Sequence, residues 1–122
     1  MIDVANVIGS RPNGWWRDRA GAAVQLADQV RDATKDGRLP MPVVMVLEGD
    51  ARAGVRATDA GDVRVVHASG SGDDALVDEV ARAATGVVVV TADRLLRKRV
   101  RALGAETVGP TWLHDRLLSA RT

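Results

Sequence analysis

Acidic side chains are the clearest candidates for chemistry in this chain of 122 residues. They lie beside predicted strands and at the start of a predicted helix, at Asp3, Glu48, Asp73, Asp74 and Asp93. Carboxylates that meet repel one another, by about 4 kcal/mol for a pair roughly 4 Å apart at an effective dielectric near 20. A cluster of three or four would therefore need a cation. Oxygen ligands without nitrogen or sulfur suit Mg²⁺ or Mn²⁺.

Composition excludes several other kinds of site. The chain has no cysteine, which excludes a thiolate nucleophile and sulfur-based zinc sites, and it has only two histidines. Basic residues number 17 against 16 acidic ones, so net charge alone indicates no partner. No apolar run approaches the roughly 20 residues of a membrane-spanning helix, and Met1-Ile2-Asp3 begins too abruptly for a signal peptide. We therefore expect a cytoplasmic protein without a membrane partner.

Apolar runs and spacings predict the elements that position the acids. Val43–Leu47 and Val87–Val90 are continuous apolar runs, which are typical of strands buried on both faces. Weaker strand patterns occur at Ile2 with Val4, at Val63–Val66 and at Thr107–Val108. Apolar spacings of three and four predict four helices. They run from about Trp15, capped by Asn13 or Gly14, to Asp36 before Gly37; from Asp73 towards Gly86; from Leu96 to Leu103 before Gly104; and onward from Pro110.

Strands that alternate with helices imply right-handed βαβ units. The sequence thus predicts one α/β, Rossmann-like domain over residues 1–122, with a parallel sheet of four to five strands and helices on both faces. The carboxyl ends of parallel strands lie at one edge of such a sheet, and ligands bind at that edge. We therefore expect the acids to meet there. One acid suffices to cap a helix, and the sequence does not decide which of Asp73 and Asp74 faces the site. Glu48 is equally well interpreted as an exposed loop carboxylate.

Basic side chains flank the same predicted edge. Those on the third helix form one stripe that begins beside Asp93, and others follow the first and second strands. They are Arg94, Arg97, Lys98 and Arg101; Arg11, Arg17 and Arg19; and Arg52 and Arg56. A charged stripe is usually a solvated helix face, but residues that flank the acids are better candidates for phosphate contacts.

Five segments in chain order resemble an NYN domain of the PIN-like ribonuclease superfamily, in its actinobacterial form. They are Asp3-Val4-Ala5-Asn6-Val7-Ile8-Gly9-Ser10, Trp15-Trp16-Arg17-Asp18-Arg19, Leu47-Glu48-Gly49, Gly70-Ser71-Gly72-Asp73-Asp74 and Val88-Val89-Val90-Thr91-Ala92-Asp93-Arg94. The resemblance covers essentially the whole chain. It implies a three-layer α/β/α, PIN-like fold and cleavage of single-stranded or structured RNA with Mg²⁺ or Mn²⁺.

The resemblance also implies roles for individual residues. The metal-binding, catalytic carboxylates would be Asp3, Asp73 or Asp74, and Asp93. Asn6 and Thr91 would orient them, while Glu48 and Ser71 are supporting candidates. The expected RNA-binding residues are Arg17, Arg19, Arg94, Arg97 and Lys98. Two features depart from the family pattern: Val4 stands where glycine is usual, and only two residues precede Asp3.

Other functions compete with the ribonuclease. A non-catalytic RNA-binding module would keep the fold and the basic rim but lack an ordered first strand. A phosphate-accepting signalling domain would need a lysine after the last strand, where Val108-Gly109-Pro110 has none. A nucleotide-binding Rossmann domain would need a third glycine after Gly70-Ser71-Gly72. The sequence leaves open whether the protein forms a homodimer.

Overall fold

Five parallel strands form a single sheet in the computed structural model, which describes residues 1–10, 18–58, 61–83 and 85–118. The strand order within these ranges is β3-β2-β1-β4-β5. The strands are β1 (Ile2–Asp3), β2 (Val43–Leu47), β3 (Val63–His67), β4 (Val88–Val90) and β5 (Glu106–Val108). The arrangement confirms the predicted α/β, Rossmann-like fold.

Helices connect the strands and cover both faces of the sheet. They are α1 (Val4–Gly9), α2 (Arg19–Lys35), α3 (Gly72–Arg82), α4 (Arg94–Ala102) and α5 (Pro110–Leu118), with a short 3-10 helix at Gly49–Ala53. None of the helices in the described ranges combines the length and the apolar character needed to cross a bilayer.

Alternation along the strands divides the core into two layers. Met45 and Leu47 of β2 pack in one hydrophobic cluster with residues of α1, α2 and α5. Val44 and Val46 of the same strand pack in a second cluster with residues of α3 and α4. Successive side chains of a strand point to opposite faces, so a continuous apolar run is what a strand covered on both faces requires.

The first strand is shorter than predicted, because Val4 begins helix α1 instead of continuing β1. The side chain of Asp3 caps this helix, with Oδ1 accepting a hydrogen bond from the Asn6 backbone N–H at 3.4 Å. Val4, Val7 and Ile8 follow the three- and four-residue spacing of a helix and are all buried. Burial of that face outweighs the weak helix propensity of β-branched residues.

The long helix after the first strand begins later than predicted. Helix α2 begins at Arg19, and its cap is Asp18, whose Oδ1 accepts from the Gly21 N–H at 2.8 Å. The predicted caps and the tryptophan pair, Asn13, Gly14, Trp15 and Trp16, lie outside the described residues. The predicted end is confirmed, since Gly37 follows the helix with a φ of 75° that favours glycine.

Strand order creates a topological switch point between β1 and β4. These strands are neighbours, although the chain forms β2 and β3 between them. Connections leave the two strands towards opposite sides of the sheet, which opens a crevice at their carboxyl ends. Asp3 ends β1, and Thr91 directly follows β4. The crevice is therefore where the fold favours a ligand site.

Candidate functional site

Asp3 lies in a hydrogen-bond network that joins β1 to the segment after β4. Its side chain is buried, and Oδ2 accepts from the hydroxyl of Thr91 at 3.0 Å. Thr91 is itself fully buried, and its hydroxyl oxygen accepts from the Asp93 backbone N–H at 3.1 Å. Thr91 therefore fixes the Asp3 carboxylate relative to the start of α4.

Asn6 and Asp93 complete the connection between α1 and α4. The side-chain oxygen of Asn6 accepts from the Ala92 backbone N–H at 2.8 Å. Asp93 caps α4, with Oδ1 accepting from the Leu96 N–H at 3.0 Å. The structure thus brings Asn6 and Thr91 together with Asp3 and Asp93. Their role in orienting metal ligands stays a prediction.

Glu48 and Ser71 hold the first turn of α3 beside the end of β2. Glu48 is half-buried, and its Oε2 accepts from the Gly72 backbone N–H at 2.7 Å. Ser71 is the cap of α3, and its Oγ accepts from the Asp74 N–H at 3.4 Å. Ser71 therefore has a structural role, and Glu48 is not merely an exposed loop carboxylate.

Asp3, Glu48, Asp73 and Asp93 form what we call the carboxylate cluster. Burial raises the pKa of Asp3 from 3.8 to about 6, and the negative charges of Asp73 and Glu48 act in the same direction. The hydrogen bonds that Asp3 accepts oppose this rise because they favour the ionised carboxylate. Burial also raises the pKa of Asp73, and the charges of Asp93 and Glu48 raise it further. The carboxylate of Asp73 is therefore close enough to those of Asp3, Glu48 and Asp93 for their negative charges to repel.

Asp73 and Asp74 have different partners, which the sequence alone did not reveal. Asp74 is exposed, and its Oδ1 forms an ion pair with Nη2 of Arg99 on α4 at 2.9 Å. Asp73 is half-buried and interacts with the other carboxylates of the cluster. Asp73 is thus the acid of this pair that faces the site. Arg99, which sequence reasoning missed, lowers the pKa of Asp73.

The carboxylate cluster offers oxygen donors of the kind that a hydrated divalent cation takes, but the described residues form no closed metal cage. Among the residues that the structure describes, no group of three histidine or acidic side chains is arranged to hold one metal ion. Mg²⁺, however, usually keeps several waters and binds only one or two carboxylates directly. The oxygen-only donor set and the mutual repulsion of the cluster suit such an ion, which would favour the ionised form of Asp3 and Asp73.

Helix α4 brings a concentrated positive charge to the same edge. Five of its nine residues are basic, and none is acidic. Arg94 and Lys98 are exposed, and Arg94 directly follows Asp93. Arg97, by contrast, is half-buried, and its Nε donates to the Thr91 carbonyl oxygen at 2.7 Å. Arg97 therefore helps to hold the end of β4, which its predicted RNA-binding role did not anticipate.

The remaining predicted RNA-binding residues precede and begin α2. Arg19 is the first residue of that helix and is exposed. Arg17 lies outside the described residues.

No protein-family model matches this chain, and no curated protein or solved structure matches it either. The resemblance to NYN domains therefore rests on the five sequence segments alone and stays a prediction.

A comparison of two glycine substitutions tests how tightly Glu48 packs on α3. A Cβ added at Gly72 would lie 3.0 Å from Cδ of Glu48, whereas a Cβ at Gly70 would meet nothing within 4 Å. We expect Gly72→Ala to be about 0.5 to 1 kcal/mol less stable than Gly70→Ala, because weakening the Glu48 hydrogen bond costs more than alanine gains over glycine in helix α3. Urea unfolding at pH 7 measures the difference. Equal stability of the two variants would contradict the contact.

Proposed function

We propose that this protein is a Mg²⁺- or Mn²⁺-dependent ribonuclease whose active site is the carboxylate cluster. One observation carries the proposal: the carboxylates of Asp3, Glu48, Asp73 and Asp93 lie near the topological switch point, where burial raises the pKa values of Asp3 and Asp73 and neighbouring negative charges add to the rise. Such convergence destabilises the fold, since the buried charges are not neutralised within the cluster. A functional cation would account for it, and raised pKa values of this kind are typical of functional sites.

The chain's own residues would provide positioning and charge. A divalent cation, when bound, would lower the pKa of a water molecule and neutralise charge on the scissile phosphate. Asp3 and Asp73 would hold this ion, and Thr91 would keep the Asp3 carboxylate oriented. Oδ1 of Asp93 accepts the hydrogen bond that caps α4. Oδ2 is therefore the oxygen that would face water or a metal ion.

Helix α4 would bind the RNA backbone beside the cluster. Arg94 and Lys98 are exposed and follow Asp93 at one and five residues, which puts both on the first turns of the helix. Phosphate contacts of this kind make affinity fall with salt, with a logarithmic slope of about −0.7 for each phosphate contacted on a single strand. We therefore expect the affinity for RNA, single-stranded or structured, to fall as the salt concentration rises.

Cleavage of labelled RNA by Asp73→Asn and Asp74→Asn tests the proposal with a matched pair. Both variants remove one negative charge from the start of α3. We expect the parent and Asp74→Asn to cleave in Mn²⁺ and to stop in EDTA, whereas Asp73→Asn loses at least about a hundredfold in rate, the upper range for a disturbed metal shell. Intact RNA in every sample would contradict the proposal, as would equal rates for the two variants.

A non-catalytic RNA-binding module is the second candidate. It is favoured by the absence of a three-ligand metal group among the described residues. This candidate predicts salt-sensitive RNA binding that Mn²⁺ does not change. Fluorescence anisotropy with RNA in EDTA and in Mn²⁺, beside the cleavage assay, separates the two candidates.

A further inference from the structure

Two side chains after β2 tie the end of that strand to the segment that leads into α3. Glu48 accepts from the Gly72 N–H at 2.7 Å. Arg52, in the 3-10 helix, donates from Nε to the Gly49 carbonyl at 3.1 Å and from Nη1 to the Ala68 carbonyl at 3.0 Å. Ala68 follows β3, so Arg52 links the segments after two neighbouring strands.

The backbone reinforces this connection. The N–H of Ala68 donates to the carbonyl oxygen of Leu47, the last residue of β2, at 2.8 Å. Gly72 is buried against Glu48, and a Cβ there would lie between 3.0 and 3.2 Å from the Glu48 carboxyl group. The absence of a side chain at Gly72 is what allows the close approach. The start of α3 is therefore held by Glu48 on one side and by the loop that Arg52 fixes on the other.

We propose that Glu48 and Arg52 form a clasp that sets the position of α3, so that Asp73 faces Asp3 across the crevice. Arg52 is then a positioning residue, whereas its sequence position predicted a place in the RNA-binding rim. Its guanidinium is suited to this task because its planar group of donors can reach two carbonyl oxygens at once. The functional consequence rests on the proposed ribonuclease, but the clasp itself does not.

Arg56 provides a matched control for Arg52. Both arginines follow β2, both are exposed, and replacing either by alanine removes one positive charge from the same segment. Only Arg52 makes the two carbonyl contacts of the clasp. For Glu48, the matched pair is Glu48→Gln, which keeps an acceptor for the Gly72 N–H, and Glu48→Ala, which does not.

Amide hydrogen exchange of the metal-free protein tests the clasp independently of any activity. Glu48→Ala is expected to lower the protection of the Gly72 amide by about tenfold or more, the effect of losing a charge-assisted hydrogen bond. Glu48→Gln should retain most of that protection. Arg52→Ala should lower protection of both the Ala68 and the Gly72 amides by about tenfold, while Arg56→Ala leaves them unchanged.

Mn²⁺ affinity connects the clasp to the site. Arg52→Ala should weaken Mn²⁺ binding by about tenfold, as expected for residues that position metal ligands, and Arg56→Ala should leave the affinity unchanged. Three outcomes would overturn the clasp: equal amide protection in Arg52→Ala and Arg56→Ala, parental protection of the Gly72 amide in Glu48→Ala, or equal Mn²⁺ affinity of the two arginine variants when the parent binds the ion. If exchange shows the clasp while the parent binds no Mn²⁺ and leaves RNA intact, the clasp stands and the proposed ribonuclease fails.

Discussion

Asp3→Asn is expected to stabilise the metal-free protein at pH 7 by about 1 to 2 kcal/mol and to abolish its response to Mn²⁺. The raised pKa of Asp3 means that its ionised form is disfavoured in the folded state by roughly 3 kcal/mol, at 1.36 kcal/mol per pKa unit. The asparagine side chain carries no charge, but it accepts the hydrogen bonds from Thr91 and Asn6 less well. These weaker hydrogen bonds lower the stability of the variant by about 1 kcal/mol. Urea unfolding in EDTA measures the gain.

The same experiment in Mn²⁺ gives the second half of the result. The parent should gain about 2.7 kcal/mol at a Mn²⁺ concentration a hundredfold above Kd, because the ion binds only the folded state. Asp3→Asn should gain little. The control is Asp28→Asn, on the exposed face of α2, where the loss of a surface pair with Arg31 changes stability by less than about 1 kcal/mol. A destabilised Asp3→Asn with a parental response to Mn²⁺ would contradict the site.

The contribution of Asp3 to the stability of the metal-free protein should fall as pH rises from about 4 to about 6. Burial raises the pKa of Asp3 in the folded state from its ordinary value of 3.8 to about 6, so the folded protein binds more protons in this interval. Its contribution is fully present below pH 3.8 and is lost as pH rises through 6, with a total of roughly 3 kcal/mol. The raised pKa of Asp73 acts in the same direction.

The difference between the parent and Asp3→Asn reports this contribution together with the coupling of Asp3 to Asp73 and Glu48, because the remaining groups titrate in both proteins. Taken as variant minus parent, that difference should be about −1 kcal/mol at pH 3.5, where only the weaker hydrogen bonds of the amide count, and should rise by roughly 3 kcal/mol towards pH 7. Saturating Mn²⁺ should reverse the trend in the parent, since protons must leave the carboxylates before the ion binds. A difference that stays constant between pH 3.5 and 7 would contradict the buried, ionised state of Asp3.

Long apolar patterns predicted most of the fold. The run Val43–Leu47 forms β2, and Pro110 begins α5 as the sequence indicated. These signals are strong because a strand covered on both faces must be continuously apolar and because proline fits the first turn of a helix. Helix α1 was missed because its six residues, rich in β-branched side chains, resemble a strand when only composition is considered.

The site was less predictable than the fold. The sequence indicated which strand ends carry acids. Asp73 and Asp74 are adjacent in the chain, however, and only the packing of α3 against α4 distinguishes their roles. Arg99 selects Asp74 as its partner across that helix pair. Arg52 and Arg97 belong to the basic residues that the sequence places beside the predicted RNA-binding edge. Both nevertheless donate hydrogen bonds to backbone carbonyls. Such contacts between residues distant in sequence leave no local pattern to detect.

Calorimetric titration of Mn²⁺ into the parent, Asp73→Asn and Asp74→Asn at pH 7 tests the central claim most directly. We expect saturable binding to the parent and to Asp74→Asn, and binding at least about tenfold weaker to Asp73→Asn. Proton release should accompany binding to the parent, because the pKa of Asp3 is raised to about 6 and a fraction of this carboxylate therefore carries a proton at pH 7 in the metal-free protein. No binding to the parent, or equal affinity in all three proteins, would contradict a cation site at the carboxylate cluster.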